Sequence, residues 1–154
     1  MTEKELLQKL NVWRLLGKTI VFSNGCFDIL HAGHIASLSE AAQHGDVLVI
    51  GVNADVSVKK IKGDNRPLND ENSRSLLLAS LSMVDAVIIF SEDTPLEIIK
   101  MIQPNVLVKG GDYSIDQIAG SKEVIAGGGK VIINPVINGF STTSIIQKIK
   151  KLNL

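Results

Sequence analysis

The stretch Ser23–Ser37, SNGCFDILHAGHIAS, carries two of the chain's three histidines, His31 and His34, on either side of Gly33. Two imidazoles at that spacing admit several chemistries. As metal ligands they need a third donor, and the only further His or Cys close by is Cys26, so the donor set is too small and no metal site is assigned. Cys26 with a histidine base makes a nucleophile pair, yet a lone cysteine in an apolar turn more often packs as a small hydrophobe. In a third reading His34 opens a helix and His31 sits in the turn before it. Both rings then face an anion held at the helix N-terminus, where Gly33 lets the backbone approach closely. Spacing alone fits equally well a histidine that caps the helix beside a histidine on the surface.

Three other segments bear on that choice. KKIKGDNRP places Lys59, Lys60, Lys62 and Arg66 in what reads as a loop after the second strand. Such a run is usually a solvated face; on the rim that holds the histidines it is a positive arm. GFSTTSII offers Ser141, Thr142 and Thr143 at the first turn of the last helix, as a second anion site or as an ordinary N-cap. VKGGDY ends a strand with Lys109, Gly110, Gly111 and Asp112, where paired glycines let a planar base lie against backbone or simply make a turn. The first strand's turn has neither G-x-G-x-x-G nor G-x-x-x-x-G-K-[ST], which removes the main support for a dehydrogenase or a P-loop enzyme.

Those residues need a scaffold, and the hydrophobic pattern supplies one. KTIVFSN, DVLVIGVN, DAVIIF, NVLVKG and KVIINPV are short, β-branched and apolar on both faces, as strands of a covered parallel sheet are. Between them lie helical segments: HIASLSEAAQHG, NDENSRSLLLASLSM, TPLEIIKMIQ, a short SKEVIAGG and STTSIIQKIKKL. Thr94 before Pro95 predicts an N-cap and first-turn pair, and Gly45 a helix stop. TEKELLQKLNVWRLLG opens on a Thr2 and Glu5 capping box and predicts a helix ended by Gly17. Alternating strands and helices with right-handed crossovers give an α/β, doubly wound, Rossmann-like fold: five parallel strands in the order 3-2-1-4-5, with an extra N-terminal helix. Ligands of such sheets sit at the carboxyl ends of the strands beside strand 1, which gathers all four segments at one rim.

Composition bounds the rest. A chain of 154 residues with 45% hydrophobic content is expected to be one domain, residues 1–154, with a helix over 1–16 and an α/β core over 17–154. Lys plus Arg and Asp plus Glu stand at 16 each, so no nucleic-acid footprint or anionic membrane surface is expected. No stretch approaches the roughly 18 to 20 apolar residues of a membrane span, and the first residues lack a signal peptide's apolar core. One cysteine excludes an internal disulfide. A cytoplasmic protein is expected.

NGCFDILHAGH resembles the H-x-G-H signature of the nucleotidylyltransferase superfamily, and STT resembles that superfamily's second phosphate-binding signature. Within it, GVNADVSVKKIKGDNRPLN, EDTPLEIIKMIQPNVLVKGGDY and IAGSKEV are similar to the D-glycero-β-D-manno-heptose 1-phosphate adenylyltransferases, a resemblance that runs over residues 17–150. It implies ATP and a sugar 1-phosphate as substrates, Mg²⁺ as cofactor, an ADP-sugar and pyrophosphate as products, and a homodimer. It also implies a sugar kinase on a separate polypeptide, because many such domains follow one. By the same resemblance His31, His34 and Lys62 are catalytic, with Lys60 or Lys59 supporting Lys62. The nucleotide is held by the two histidines, Cys26, Phe27, Lys109, Gly110, Asp112, Ser141, Thr142 and Thr143. The sugar phosphate falls to Asn24, Asp28, Asn53, Arg66 and Arg74. The rival family is the glycerol-3-phosphate cytidylyltransferases, which typically carry an arginine before GISTT where this chain reads INGFSTT. A third reading is a nucleotide-binding module without turnover. The helix after RPLN departs from the family's Glu-x-Arg pattern, with Asn72 where the glutamate stands.

Overall fold

The computed structural model describes residues 1–111, 113–135 and 139–152. The elements run α1 (Glu3–Leu15), β1 (Ile20–Gly25), α2 (Ala32–Ala42), β2 (Val47–Asn53), α3 (Asp55–Lys62), α4 (Glu71–Ala79) and β3 (Ala86–Phe90). They continue with α5 (Leu96–Ile102), β4 (Val106–Gly110), a 3-10 turn (Ile115–Gln117), α6 (Ser121–Ala126), β5 (Lys130–Asn134) and α7 (Thr142–Lys150). All four strand pairings are parallel and the order is β3-β2-β1-β4-β5, as the sequence predicts.

Successive strand residues point to opposite faces, so each strand feeds two cores. Ile20 and Phe22 of β1, Val49 of β2 and Leu107 of β4 face α1, α5 and α6 through Leu6, Leu10, Ile99, Ile102 and Val124. Val21, Leu48, Ile50 and Val108 face α2 and α4 through Leu38, Ala41 and Leu78. Helices on both faces explain why the strands show no polar alternation. Leu6 and Leu10 are fully buried, so α1 covers part of the sheet. Its capping box forms as predicted, with Thr2 and Glu5 each accepting the other's amide, and Gly17 follows the helix in the left-handed region (φ 68°). Among the described residues no helix is long and apolar enough to cross a membrane.

Three local expectations need correction. KKIK is not loop: Lys59, Lys60 and Lys62 form the last turn of α3, where Val58 is anchored in the core and the basic side chains suit the helix's negative end. Thr94 is not an N-cap; α5 starts at Leu96 with Pro95 before it and no capping side chain. Gly45 does not end α2, which stops at Ala42. Its value is close packing, since a Cβ there would lie 2.6 Å from Val21 and 2.7 Å from the Thr19 carbonyl.

Candidate active site

At the carboxyl ends of the strands, beside β1, lies a cavity of about 430 Å³. The segment between β1 and α2 forms its floor. His31 is the N-cap of α2: its Nδ1 accepts the His34 amide at 3.4 Å, which leaves the proton of a neutral ring on Nε2. The His34 ring stacks on it with centroids 3.8 Å apart and 16° between planes. The cap fixes His31, which is not among the residues lining the cavity, while His34 lines it. Phe27 closes the other side of His34 edge-on, at 5.3 Å and 68°. It does so from a left-handed backbone (φ 49°), with its ring against the Cα of Gly25, where an added Cβ would come within 3.1 Å.

This packing sets the protonation state. Burial, reinforced by the His31 ring and the Lys62 ammonium, pulls His34 down to about 4. Burial also lowers His31, against the opposing effect of its backbone hydrogen bond. Both rings are neutral donors at pH 7, and the basic side chains that line the cavity are those of Lys62, Arg66 and Lys109. The His34 Nδ1 is buried without a partner, so that ring is held by packing rather than by a hydrogen bond.

The STT segment arrives at the same place. Phe140 lies over Gly33, where a Cβ would come within 2.9 Å, and its ring stands 6.5 Å from that of His31. The N-terminus of α7 is thereby brought to that of α2, giving two helix ends around one volume. Ser141 caps α7, accepting the Ser144 amide at 3.0 Å; Thr142 lines the cavity and Thr143 is exposed.

Asn24, Cys26, Asn53, Lys109 and Gly110 also line the cavity. Lys109 donates to the Asn24 carbonyl at 3.3 Å and to its side-chain oxygen at 3.4 Å, and burial lowers its pKa, opposed by the neighbouring Cys26 thiol. Asn53 donates to the Ser57 hydroxyl at 3.0 Å. Asp112 lies outside the described residues.

Three of the expected sugar-phosphate residues, Asp28, Arg66 and Arg74, are already held in ion pairs. Asp28 is nearly inaccessible: its carboxylate accepts the amides of Leu68 at 2.7 Å and Asn69 at 3.0 Å and pairs with Arg66. Burial pushes this carboxyl up, and those amides with the guanidinium outweigh it, holding it below its ordinary value. Asp28 thus fixes the 66–69 segment to the floor, while Arg66 stays on the cavity wall. Arg74 does not face the cavity. It is 1% exposed and donates to the Cys26 carbonyl at 2.6 Å, the Asn69 carbonyl at 3.0 Å and Asp55 at 2.7 Å. This fork braces the turn from behind. Asn72 is exposed, and the adjacent Glu71 accepts the Asp55 amide at 2.7 Å.

The sequence reading missed Ser37, Ile61, Asp93, Pro95 and Tyr113 on the wall. Ser37 was legible, one turn after His34 on the same helical face. Asp93 was not, because it reaches the rim from the loop after β3, where it pairs with Lys60 at 2.7 Å.

The cytidylyltransferase-like family model matches residues 22–148. The chain is 51% identical over 144 residues to the bifunctional protein HldE of Nitrobacter hamburgensis, covering 94% of this chain and 29% of that protein. It is 52% identical over 149 residues to the HldE of Shewanella baltica, covering 97% and 31%. The chain thus spans under a third of the length of the curated relatives it matches. Among solved structures, a lipopolysaccharide core biosynthesis protein from Thermoplasma volcanium superposes with a TM-score of 0.63 at 31% identity, covering 79% of this chain and 98% of that one.

Proposed function

Because the chain belongs to the cytidylyltransferase-like family, we propose that it transfers the adenylyl group of ATP to D-glycero-β-D-manno-heptose 1-phosphate, giving ADP-heptose and pyrophosphate. The observation that carries this reading is the meeting of two helix N-termini, a stacked histidine pair and Lys62 around one cavity. That is a site for several phosphates. Near-50% identity to HldE across 94–97% of the chain, and the neighbour assigned to lipopolysaccharide core biosynthesis, support a sugar as the acceptor.

A phosphate monoester is mostly dianionic at pH 7, its second pKa being about 6, so the nucleophile needs no general base. An oxygen of the heptose phosphate attacks the α-phosphorus, a new P–O bond forms, and the bond to the bridging oxygen breaks as pyrophosphate leaves in line. The protein supplies position and complementary charge. His31 and His34 donate N–H groups to phosphate oxygens, Lys62 balances charge, and Thr142 with the first amides of α7 holds the leaving pyrophosphate.

Among the described residues no group of three or more His, Cys, Asp or Glu side chains is placed to hold a metal ion. The cavity carboxylates are paired, Asp28 with Arg66 and Asp93 with Lys60. Mg²⁺ would therefore enter with the nucleotide rather than on a set of protein ligands, and would supply charge screening for the phosphates. A cytoplasmic homodimer belongs to the same proposal.

Initial rates of pyrophosphate release with ATP and CTP, each paired with heptose 1-phosphate and glycerol 3-phosphate, test the reading. ATP with heptose 1-phosphate is expected to exceed CTP at least tenfold in kcat/KM, about 1.4 kcal/mol of discrimination. Preference for CTP with glycerol 3-phosphate assigns the chain to the rival substrates, and nucleotide binding without any product makes it a binding module.

A further inference from the structure

Beside the main cavity lies a second, smaller one of about 170 Å³, and the two share Asn24, Asp93, Pro95, Lys109 and Tyr113 as a common wall. The far side of the small recess is built from Thr94, Gln117, Ile118 and Ala119. His34, Lys62, Arg66 and Thr142 line only the larger cavity, and Lys109 is the cation common to both. The chemistry of the recess is of another kind. Thr94 offers a hydroxyl, Asp93 a carboxylate, and Asn24 and Gln117 amides, over an apolar floor of Pro95, Ile118 and Ala119. Alternating donors and acceptors against a small apolar surface suit a polyol, whose hydroxyls each donate and accept while its C–H face packs.

The polar groups are held in place. Gln117 accepts the Ser114 amide through Oε1 at 3.0 Å, which orients its side chain and leaves its amide N–H groups for a ligand. Asp93 is fixed by Lys60 on the solvent side, and Lys109 is tied to Asn24 on the shared wall.

The direction of the reaction points the same way. The leaving pyrophosphate belongs at the N-terminus of α7, next to Thr142, and an in-line displacement brings the attacking oxygen from the opposite side. The recess shares Lys109 and Asp93 with the main cavity but not Thr142. Resting on the nucleotidyl-transfer reading above, we infer that this recess takes the end of the acceptor sugar farthest from its phosphate, with Thr94 and Gln117 reading the hydroxyls there. With the anomeric phosphate in the main cavity, the part that enters carries the seventh carbon, which distinguishes a heptose from a hexose. Thr94 and Gln117 are then specificity-determining residues that act on the acceptor and not on ATP.

Steady-state kinetics of wild type, Thr94→Val, Gln117→Met and the double variant decide this, with D-glycero-β-D-manno-heptose 1-phosphate and mannose 1-phosphate as acceptors. The double variant is expected to raise the KM for heptose 1-phosphate at least about tenfold, the loss of one or two good hydrogen bonds, and to narrow the preference over mannose 1-phosphate, while the KM for ATP stays within about twofold. Thr94→Val is isosteric at an exposed position and carries the test should Gln117→Met loosen the 3-10 turn. An unchanged KM for heptose 1-phosphate in an active enzyme overturns the recess assignment alone. A raised KM for ATP with unaltered acceptor kinetics gives the recess to the nucleotide instead. Wild-type protein that transfers nothing to any sugar 1-phosphate overturns the functional reading and the recess with it, and does so before any variant is made.

Discussion

His34 owes its protonation state to its surroundings. Its ordinary value of 6.5 falls to about 4 through burial, then through His31 and Lys62. An NMR titration of its ring should therefore show a midpoint near 4, with that of His31 also below the usual value. The linkage follows in sign. The unfolded chain takes up a proton near 6.5 that the folded chain refuses until about 4, so stability is full above 6.5 and declines as pH falls through that window. Thermal melts between pH 7 and 4 should show this decline, and His34→Gln should flatten it. Neutral rings in the free protein also mean that the histidines act as hydrogen-bond donors. His34→Ala and His31→Ala are expected to cut turnover by about a hundredfold or more, the loss of one transition-state donor, with a smaller effect on ATP affinity. A single mutant that keeps more than about a tenth of wild-type turnover excludes that role for its residue.

At the scale of elements, α3 is where sequence and structure part. Its eight residues make little more than two turns, and Gly63 and Pro67 close behind give the segment the look of a loop. The helix matters because it gives the three lysines different neighbours. Lys62 lines the cavity, Lys60 pairs with Asp93, and Lys59 does neither. Lys62→Ala should accordingly lower turnover more than Lys59→Ala in parallel assays; equal and small effects reduce the run to a solvated face. The start of α3 is bound to α4 through Asp55 and Arg74. Arg74 shows how far a charged side chain on a helix can mislead: its three partners lie 5, 19 and 48 residues away, and sequence spacing gives no hint of them. Arg74→Leu leaves Asp55 and two carbonyls unpaired and should cost roughly 3 kcal/mol in urea denaturation. Lysine should not restore it, since an ammonium cannot span the fork.

For the whole molecule, the strands were legible because helices cover both faces of the sheet, so consecutive residues along each strand's centre are apolar. The order 3-2-1-4-5 then places the ends of β1, β2 and β4 beside one another, and the HAGH, STT and VKGG segments met where the topology required. Partners brought in by the tertiary fold were not legible. Asp28 and Arg66 stand 38 residues apart, and each alone reads as a free charge at the site. The N-terminal helix reads as a prelude to the core, yet Leu6 and Leu10 lie among the residues of β1, β4 and α5. Leu10→Ala should lower global stability by about 2–5 kcal/mol in a single cooperative transition, whereas a local loss confined to α1 would mark it as an appendage.

Phe27 holds its ring beside His34 from a backbone region that a side chain with a Cβ enters at a cost of about 1–2 kcal/mol. Folding therefore keeps one residue in tension so that an imidazole has a wall, and the tension can be measured. Phe27→Ala discards the wall and keeps the tension, while Phe27→Gly discards both. The two proteins should be comparably poor catalysts, with the glycine protein melting higher than the alanine one by up to about 1 kcal/mol, after allowance for glycine's freer unfolded chain. Durability can then be recovered at this position without turnover, and the wild-type phenylalanine keeps the strain that the wall requires.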